Sequence, residues 1–326
     1  MTPFTSILAA TDFSIGGNNA ARRAALLAHE HGAPLKLVHV LDPTGGRSLW
    51  GWSPASIDFG LQAAQARESL RRLALEIAGR HGLNPSVEVR VGEPFETLLR
   101  TSQRAELLVL GRRGHGRFRA LRAGRTVDRL FRTCRRPVLV VKMPAERAYR
   151  RVLVPVDFSV ASDAAVQAAA RLAHDGGLHV FHAINSHRDG VLRDTGVPDH
   201  LIRESGLRQQ TGILARLRRQ AARLGLDSTR MGFAVDRGHP VWSTLRHAHR
   251  LQADLIVAGR QGRSTLGEWL LGSVSGRLLA GSACDMLMVP QPRAEALGHA
   301  APPPLRLAAV AARADRAARS LPRRVA

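Results

Sequence analysis

The sequence predicts an α/β chain of two tandem, doubly wound domains, each built on a five-stranded parallel sheet. Three observations lead there. First, landmarks recur: ILAATDFS from residue 7 returns as VLVPVDFS at 152–159, VGEPFETLLR at 91–100 as DRGHPVWSTLR at 236–246, and LLVLGRRG at 107–114 as LIVAGRQG at 255–262. The offsets are 145 for Asp12 to Asp157, 146 for Gly92 to Gly238 and 148 for Gly111 to Gly259, so two copies of one domain differ by small insertions in loops. Second, apolar strand-like runs alternate with helical patterns through both copies. Third, each copy places a glycine-rich loop after its fourth apolar run. The 326 residues divide into residues 1–146 and 147–292, each long enough to bury its own core, and a basic Ala/Arg/Pro-rich tail at 293–326.

Each copy opens with a short apolar run ending in an acid, 7–12 and 152–157, the pattern of a buried parallel strand. Ala-rich helical stretches follow at 14–32 and 159–177, each closed by Gly, with Ser162 or Asp163 expected to cap the second. Second strands are expected at 34–42 and 178–185, and amphipathic helices at 56–80 and 198–224, each ended by Gly-Leu. Third strands at 86–91 and 230–235 lead to helices opening with Pro94 and Pro240, where a missing N–H costs nothing. Fourth strands are expected at 107–110 and 255–258 and fifth strands at 138–141 and 286–289. In such a sheet the ligand site lies beyond the carboxyl ends of the strands, beside the switch in strand order. The Asp-bearing turn, the exit from strand two and the glycine-rich loop should therefore line it.

The second copy's loop reads GRQGRSTLGEWLLGSVSGR: Gly259, two residues, Gly262, nine residues, then Gly272 and Ser273. Glycines let backbone approach a ligand, and N–H groups at the start of the following helix form a natural phosphate site. Ser273 and Ser275 add hydroxyl donors. The bland alternative is that these glycines only turn the chain. The first copy keeps Gly111, Gly114 and Gly124 at the same spacing but has Arg125 where the second has Ser273. Arg125 either pairs with a phosphate, which suits a guanidinium, or fills the space; Thr126 can supply the hydroxyl one position on. Residues 111–136 hold ten Arg against three in 259–284.

This pattern resembles the universal stress protein family, specifically its tandem two-domain members, over about residues 4–290. Gly-x-x-Gly-(x)9-Gly-Ser is that family's ATP-binding signature, matched in full from Gly259 to Ser273. The resemblance implies a Rossmann-like sheet of the adenine-nucleotide-hydrolase type, with ATP, with or without Mg2+, at the loop after strand four and a first-strand Asp in the pocket. Carried onto this chain, the site is Pro155, Val156, Asp157, Ala183, Gly259, Arg260, Gly262, Gly272, Ser273, Val274 and Ser275. The first-copy counterparts are Ala10, Thr11, Asp12, Val40, Gly111, Gly114, Gly124, Arg125 and Thr126. Ala183 and Val40, leaving strand two, would meet the adenine through backbone. The family also implies pairing of the fifth strands, so that 138–141 and 286–289 form an intramolecular pseudo-dimer, with a further homodimer left open.

Composition bounds the rest. With 44% hydrophobic and 23% charged residues, and no stretch near the ~18 apolar residues of a membrane span, the chain reads as globular and without a membrane segment. The opening MTPFTSILAATDFS lacks a basic n-region, so no signal peptide is expected and the location defaults to cytoplasmic. Cys134 and Cys284 are too few for a disulfide framework and lack metal-ligand spacing. His29/His31 and His247/His249 stand two apart on helical stretches and point to different faces, so no metal site is expected. His39 and His182, at the ends of the second strands, read as structural. The net charge of +22 is carried almost entirely by Arg; it favours polyanions generally, but aromatics are not interleaved as base-stacking platforms require, and no specific nucleic-acid binding is expected. The tail is read as mobile and solvated, or alternatively as a basic helix that docks on a partner.

The function expected from this reading is non-enzymatic: ATP binding for stress signalling, with the complete site in the second copy. An interaction scaffold with vestigial sites, binding an acidic protein or nucleic acid through the Arg-rich first loop, is the alternative. No Gly-x-x-x-x-Gly-Lys-Ser/Thr loop, no Ser-Gly-Gly-rich loop after strand one and no general-base pair is present, so at most slow ATP hydrolysis is expected.

Overall fold

The computed structural model describes residues 3–43, 59–112, 125–174, 176–185, 198–260 and 274–291. The first copy runs β1 (Ile7–Ala10), α1 (Ile15–His31), β2 (Leu35–Leu41), α2 (Phe59–His81), β3 (Ser86–Val91), α3 (Pro94–Ser102), β4 (Leu107–Gly111), α4 (Arg125–Thr133), β5 (Val138–Val141). The second runs β6 (Val152–Pro155), α5 (Val160–Ala170), β7 (Leu178–Ile184), α6 (Asp199–Arg223), a 3-10 turn (Ser228–Arg230), β8 (Met231–Arg237), α7 (Pro240–Leu251), β9 (Leu255–Gly259), α8 (Val274–Gly281), β10 (Asp285–Val289). The tail at 293–326 lies outside the described residues.

All ten strands join one sheet in the order β3-β2-β1-β4-β5-β10-β9-β6-β7-β8. Within each copy the pairs are parallel; where the copies meet, β5 and β10 run antiparallel with Leu139 opposite Leu287. That pairing removes what would be an exposed edge on each copy. The strands at the centre of the sheet, β4, β5, β9 and β10, are buried almost throughout, as expected of strands covered on both faces. One face packs against α1, α2, α5 and α6 through Ala24, Leu70, Ile77, Val166 and Leu217. The other packs against α3, α4, α7 and α8 through Phe95, Leu98, Phe131, Val241 and Leu278.

Local chemistry sets the helix ends. Ser14 caps α1 by accepting the Gly17 N–H, and Gly32 closes it at φ 61°, the left-handed residue a helix end favours. The cap of α5 is Ser159, which accepts the Ser162 N–H; it is neither Ser162 nor Asp163. Asp163 instead accepts from Gln220 and Arg223 of α6. The second Ala-rich helix also stops at Ala170, short of the glycine at 177. A Cβ on Gly177 would overlap the Arg150 carbonyl, so this glycine serves a close backbone approach and not the helix end.

The seam between copies is polar and buried. Asp285, at the start of β10, is fully buried. Its Oδ1 accepts the Lys142 and Met143 N–H groups at 2.7 and 2.8 Å, and its Oδ2 accepts the Tyr149 hydroxyl at 2.6 Å. The Arg23 guanidinium lies 3.5 Å from Oδ2, stacks on the Tyr149 ring and donates to the Arg147 and Pro144 carbonyls. Burial pushes the Asp285 carboxyl above the usual carboxylate range, while the hydrogen bonds from Tyr149, Lys142 and Met143, together with Arg23, pull it back. Lys142 donates to Leu279 O, Ser282 O and Ser282 Oγ, capping the end of α8, and burial lowers it to about 8.

Candidate functional site

The site grows from a turn built twice. In Asp12-Phe13-Ser14 the Asp Oδ1 accepts the Ser14 N–H at 3.1 Å and the Ser14 hydroxyl, and Ser14 Oγ accepts the Gly17 N–H. In Asp157-Phe158-Ser159 the same bonds recur at 3.0 and 2.6 Å, with Ser162 in the place of Gly17. Each carboxylate thus orients the serine that caps the following helix. The price is a phenylalanine forced to positive φ, 61° at Phe13 and 62° at Phe158, a conformation that costs about 1–3 kcal/mol. A histidine from the second strand supports it. His39 stacks on Phe13 with centroids 4.4 Å apart, and its Nδ1–H donates to Thr11 O at 2.8 Å. His182 packs on Phe158 at 4.9 Å and donates to Val156 O at 2.7 Å. The carbonyl acceptors fix a proton on Nδ1 of each ring.

In the first copy this turn walls a cleft of about 480 Å3, a usual size for a small-molecule site. It opens at the carboxyl ends of β1, β2 and β4, where strand order reverses. Ala10, Thr11, Asp12, Val40, Gly111 and Thr126 all line it. Gly114 and Gly124 lie outside the described residues, and Arg125 is described only as the first residue of α4. Three charged lining groups escaped the sequence reading: Asp42, Glu93 and Arg129. Glu93 caps α3 through the Glu96 N–H; the Arg129 guanidinium covers the Phe95 ring at 3.6 Å and lies 3.8 Å from Glu93. Among the described residues, three carboxylates (Asp12, Asp42 and Glu93) and one arginine (Arg129) line this cleft.

The aligned positions of the second copy are less acidic. Asn185 stands for Asp42, His239 for Glu93, Thr244 for Leu98 and Ser275 for Val127. Pro155 ends β6, Val156 is tied to β7 through its N–H to Phe181 O, and Ala183 is half-buried in β7. Val274 opens α8 and Ser275 is buried in its first turn. Gly262, Gly272 and Ser273 lie outside the described residues. Gly259 has a packing role: a Cβ there would come within 2.7 Å of the Ala161 carbonyl carbon and oxygen, so the first turn of α5 can approach β9 only over a glycine. Gly111 is constrained the same way by Gly16. The Arg260 side chain is half-buried and donates to Cys134 O at the end of α4, across the seam. Its guanidinium therefore takes part in the contact between copies. Sequence gives no warning of this, because the partner stands 126 residues away.

Among the described residues no cluster of three or more His, Cys, Asp or Glu could hold a metal ion, and no helix is long and apolar enough to cross a membrane. Cys134 and Cys284 are free and buried.

The model of the Universal stress protein family matches residues 3–142 and again 148–290. A universal stress protein of Mycolicibacterium smegmatis is 30% identical over 304 residues, spanning 88% of this chain and 97% of that protein. Universal stress protein YxiE of Bacillus subtilis is 30% identical over 152 residues, 43% of this chain and 99% of the relative. Among solved structures, a universal stress protein from Archaeoglobus fulgidus superposes with a TM-score of 0.64 at 20% identity, covering 88% of this chain and 98% of that one. With two successive family matches on two copies of the same sheet, the chain belongs to the universal stress protein family as a tandem two-domain member.

Proposed function

We propose that the protein binds ATP as a non-catalytic stress or signalling protein, with the principal site in the second copy and no chemistry beyond slow ATP hydrolysis. The observation that carries this reading is the doubled Asp-Phe-Ser turn at the carboxyl edge. It is coupled in the second copy to the full Gly-x-x-Gly-(x)9-Gly-Ser loop leading into α8. Phosphates would meet the N–H groups opening α8, with Ser273 and Ser275 as hydroxyl donors. The replacement of Asp42 and Glu93 by Asn185 and His239 takes two negative charges away from where a triphosphate would lie, and this favours the second copy over the first. The β5–β10 pairing fits an intramolecular pseudo-dimer in which one copy supports the other. The domain division at 146/147 falls within the segment 142–151 that Asp285 and Asp254 fasten to the sheet. The protein is expected to act in the cytoplasm.

Thermal unfolding tests the reading. ATP at about a hundredfold excess over Kd should stabilise the fold by about 2.7 kcal/mol. No upward shift at millimolar ATP, with ADP and a cyclic nucleotide equally silent, would sink it.

A further inference from the structure

A second cleft, of about 410 Å3, opens at the opposite end of the first copy's sheet, at the amino ends of β1 and β2. It lies between β2 and β3 on one side and the end of α3 on the other. Lys36, Arg90, Arg100 and Arg104 line it, with Glu88 as the one carboxylate among the described residues and Thr101 as a hydroxyl donor. Lys36 and Arg90 both reach Glu88. Among the described residues Arg100 and Arg104 have no ion-pair partner, although Arg100 Nε donates weakly to Glu96 O at 3.5 Å.

The second copy carries a different set of residues at the same place. Asp236 stands where the first copy has Arg90, and it pairs with Arg246 at 2.8 Å and Arg250 at 3.5 Å. Those arginines are the counterparts of Arg100 and Arg104. His179, in the place of Lys36, packs over Gly232, and His247, in the place of Thr101, stacks on Phe181 with centroids 4.7 Å apart. One copy thus neutralises its helix arginines with an acid and sets imidazoles beside them. The other inverts the charge of the acid and leaves a cleft.

We propose that this first-copy cleft is a binding site for a small multivalent oxyanion of the oligophosphate class, separate from the nucleotide site. Four cationic residues line it, three of them arginines whose planar guanidinium forks match phosphate oxygens. Clustering like charges is unfavourable without a counter-anion, and one carboxylate does not balance four cations. A di- or triphosphate bridging Arg90, Arg100 and Arg104 would do for the first copy what Asp236 does for the second.

Titration calorimetry with inorganic tripolyphosphate on the full chain, in about 0.15 M NaCl, tests this. The samples are wild type, Arg90→Asp, Arg100→Gln/Arg104→Gln and Gly272→Glu. One saturable site is expected in wild type, weakened about tenfold or more in Arg90→Asp and in the double variant, and kept in Gly272→Glu. Arg90 is exposed and the second copy folds with Asp at this position, so Arg90→Asp should fold; the double variant provides the same test independently. No saturable heat in wild type, binding indifferent to both arginine variants, or binding lost only in Gly272→Glu would overturn the proposal. The last outcome would assign the anion to the nucleotide loop and leave the ATP reading standing.

Discussion

Replacing Asp285 by Ala should loosen the joint between the two copies more than any other single change at the seam. The substitution removes the acceptor for two backbone N–H groups and for the Tyr149 hydroxyl. It also leaves the Arg23 guanidinium, 4% exposed, without its carboxylate. Each buried donor left unpaired costs about 1–3 kcal/mol, and breaking a buried ion pair by removing one partner costs about 3–5 kcal/mol. These terms share one side chain and are not additive, so the expected loss of folding free energy is about 4 kcal/mol. Asp285→Asn keeps the shape and the two backbone contacts to Oδ1 but also removes the charge beside Arg23, and should cost less than the Ala variant. Urea unfolding followed by circular dichroism, with Ala and Asn variants beside wild type, measures both. A loss below about 1 kcal/mol for the Ala variant, the range of an ordinary exposed substitution, would refute the idea that this carboxylate fastens the linker to the sheet.

Other outcomes follow from the same geometry. Gly259→Ala, whose Cβ would be forced against Ala161, should lower stability by about 1–3 kcal/mol, measurable as a reduced urea midpoint; an unchanged midpoint would show that α5 can retreat. Acidification should destabilise the protein. Burial lowers His31, His81, His179 and His247 below 6.5, with Arg171 and His174 adding to the effect at His31. The unfolded chain therefore takes up protons near 6.5 and the folded chain only at lower pH, so this stability is complete above 6.5 and is lost as pH falls through the folded values. Urea midpoints at about pH 7.5 and 5.5 should differ less in His179→Gln than in wild type, and a midpoint that rises on acidification would contradict the sign. Asp42→Asn/Glu93→His, which gives the first cleft the residues of the second, should tighten first-copy ATP binding about tenfold, seen as a second saturable phase in titration; no such phase would show that charge is not what separates the clefts.

The fold was readable because its signals are local and doubled. The repeats at Asp12/Asp157 and Gly111/Gly259 set strand ends, Pro94 and Pro240 begin helices, and Gly32 ends one. A cleft lies at the carboxyl edge where strand order reverses, and Thr11, Asp12, Val40 and Thr126 line it. What escaped depends on contacts distant in sequence. Asp285 looked like an ordinary strand residue because its partners stand 136 to 143 positions away, and it has Pro137 as its counterpart, so the repeat gave no hint. Arg260 read as a loop residue because its neighbours are loop residues, yet its side chain crosses the seam. Asp42 and Glu93 belonged to motifs that mark strand and helix ends, and only the folded sheet brings them to one cleft. The charge inversion between Arg90 and Asp236 is visible in the repeat, but its meaning rests on Arg246 and Arg250 pairing with Asp236 in the folded chain.

The central claim is an ATP site in the second copy, and titration calorimetry of ATP with Mg2+ into wild type and Gly272→Glu, in about 0.15 M salt, tests it most directly. The account predicts saturable binding in wild type that disappears in Gly272→Glu while the variant keeps its fold. Heat that persists unchanged in the variant, or no heat in either protein, would contradict it.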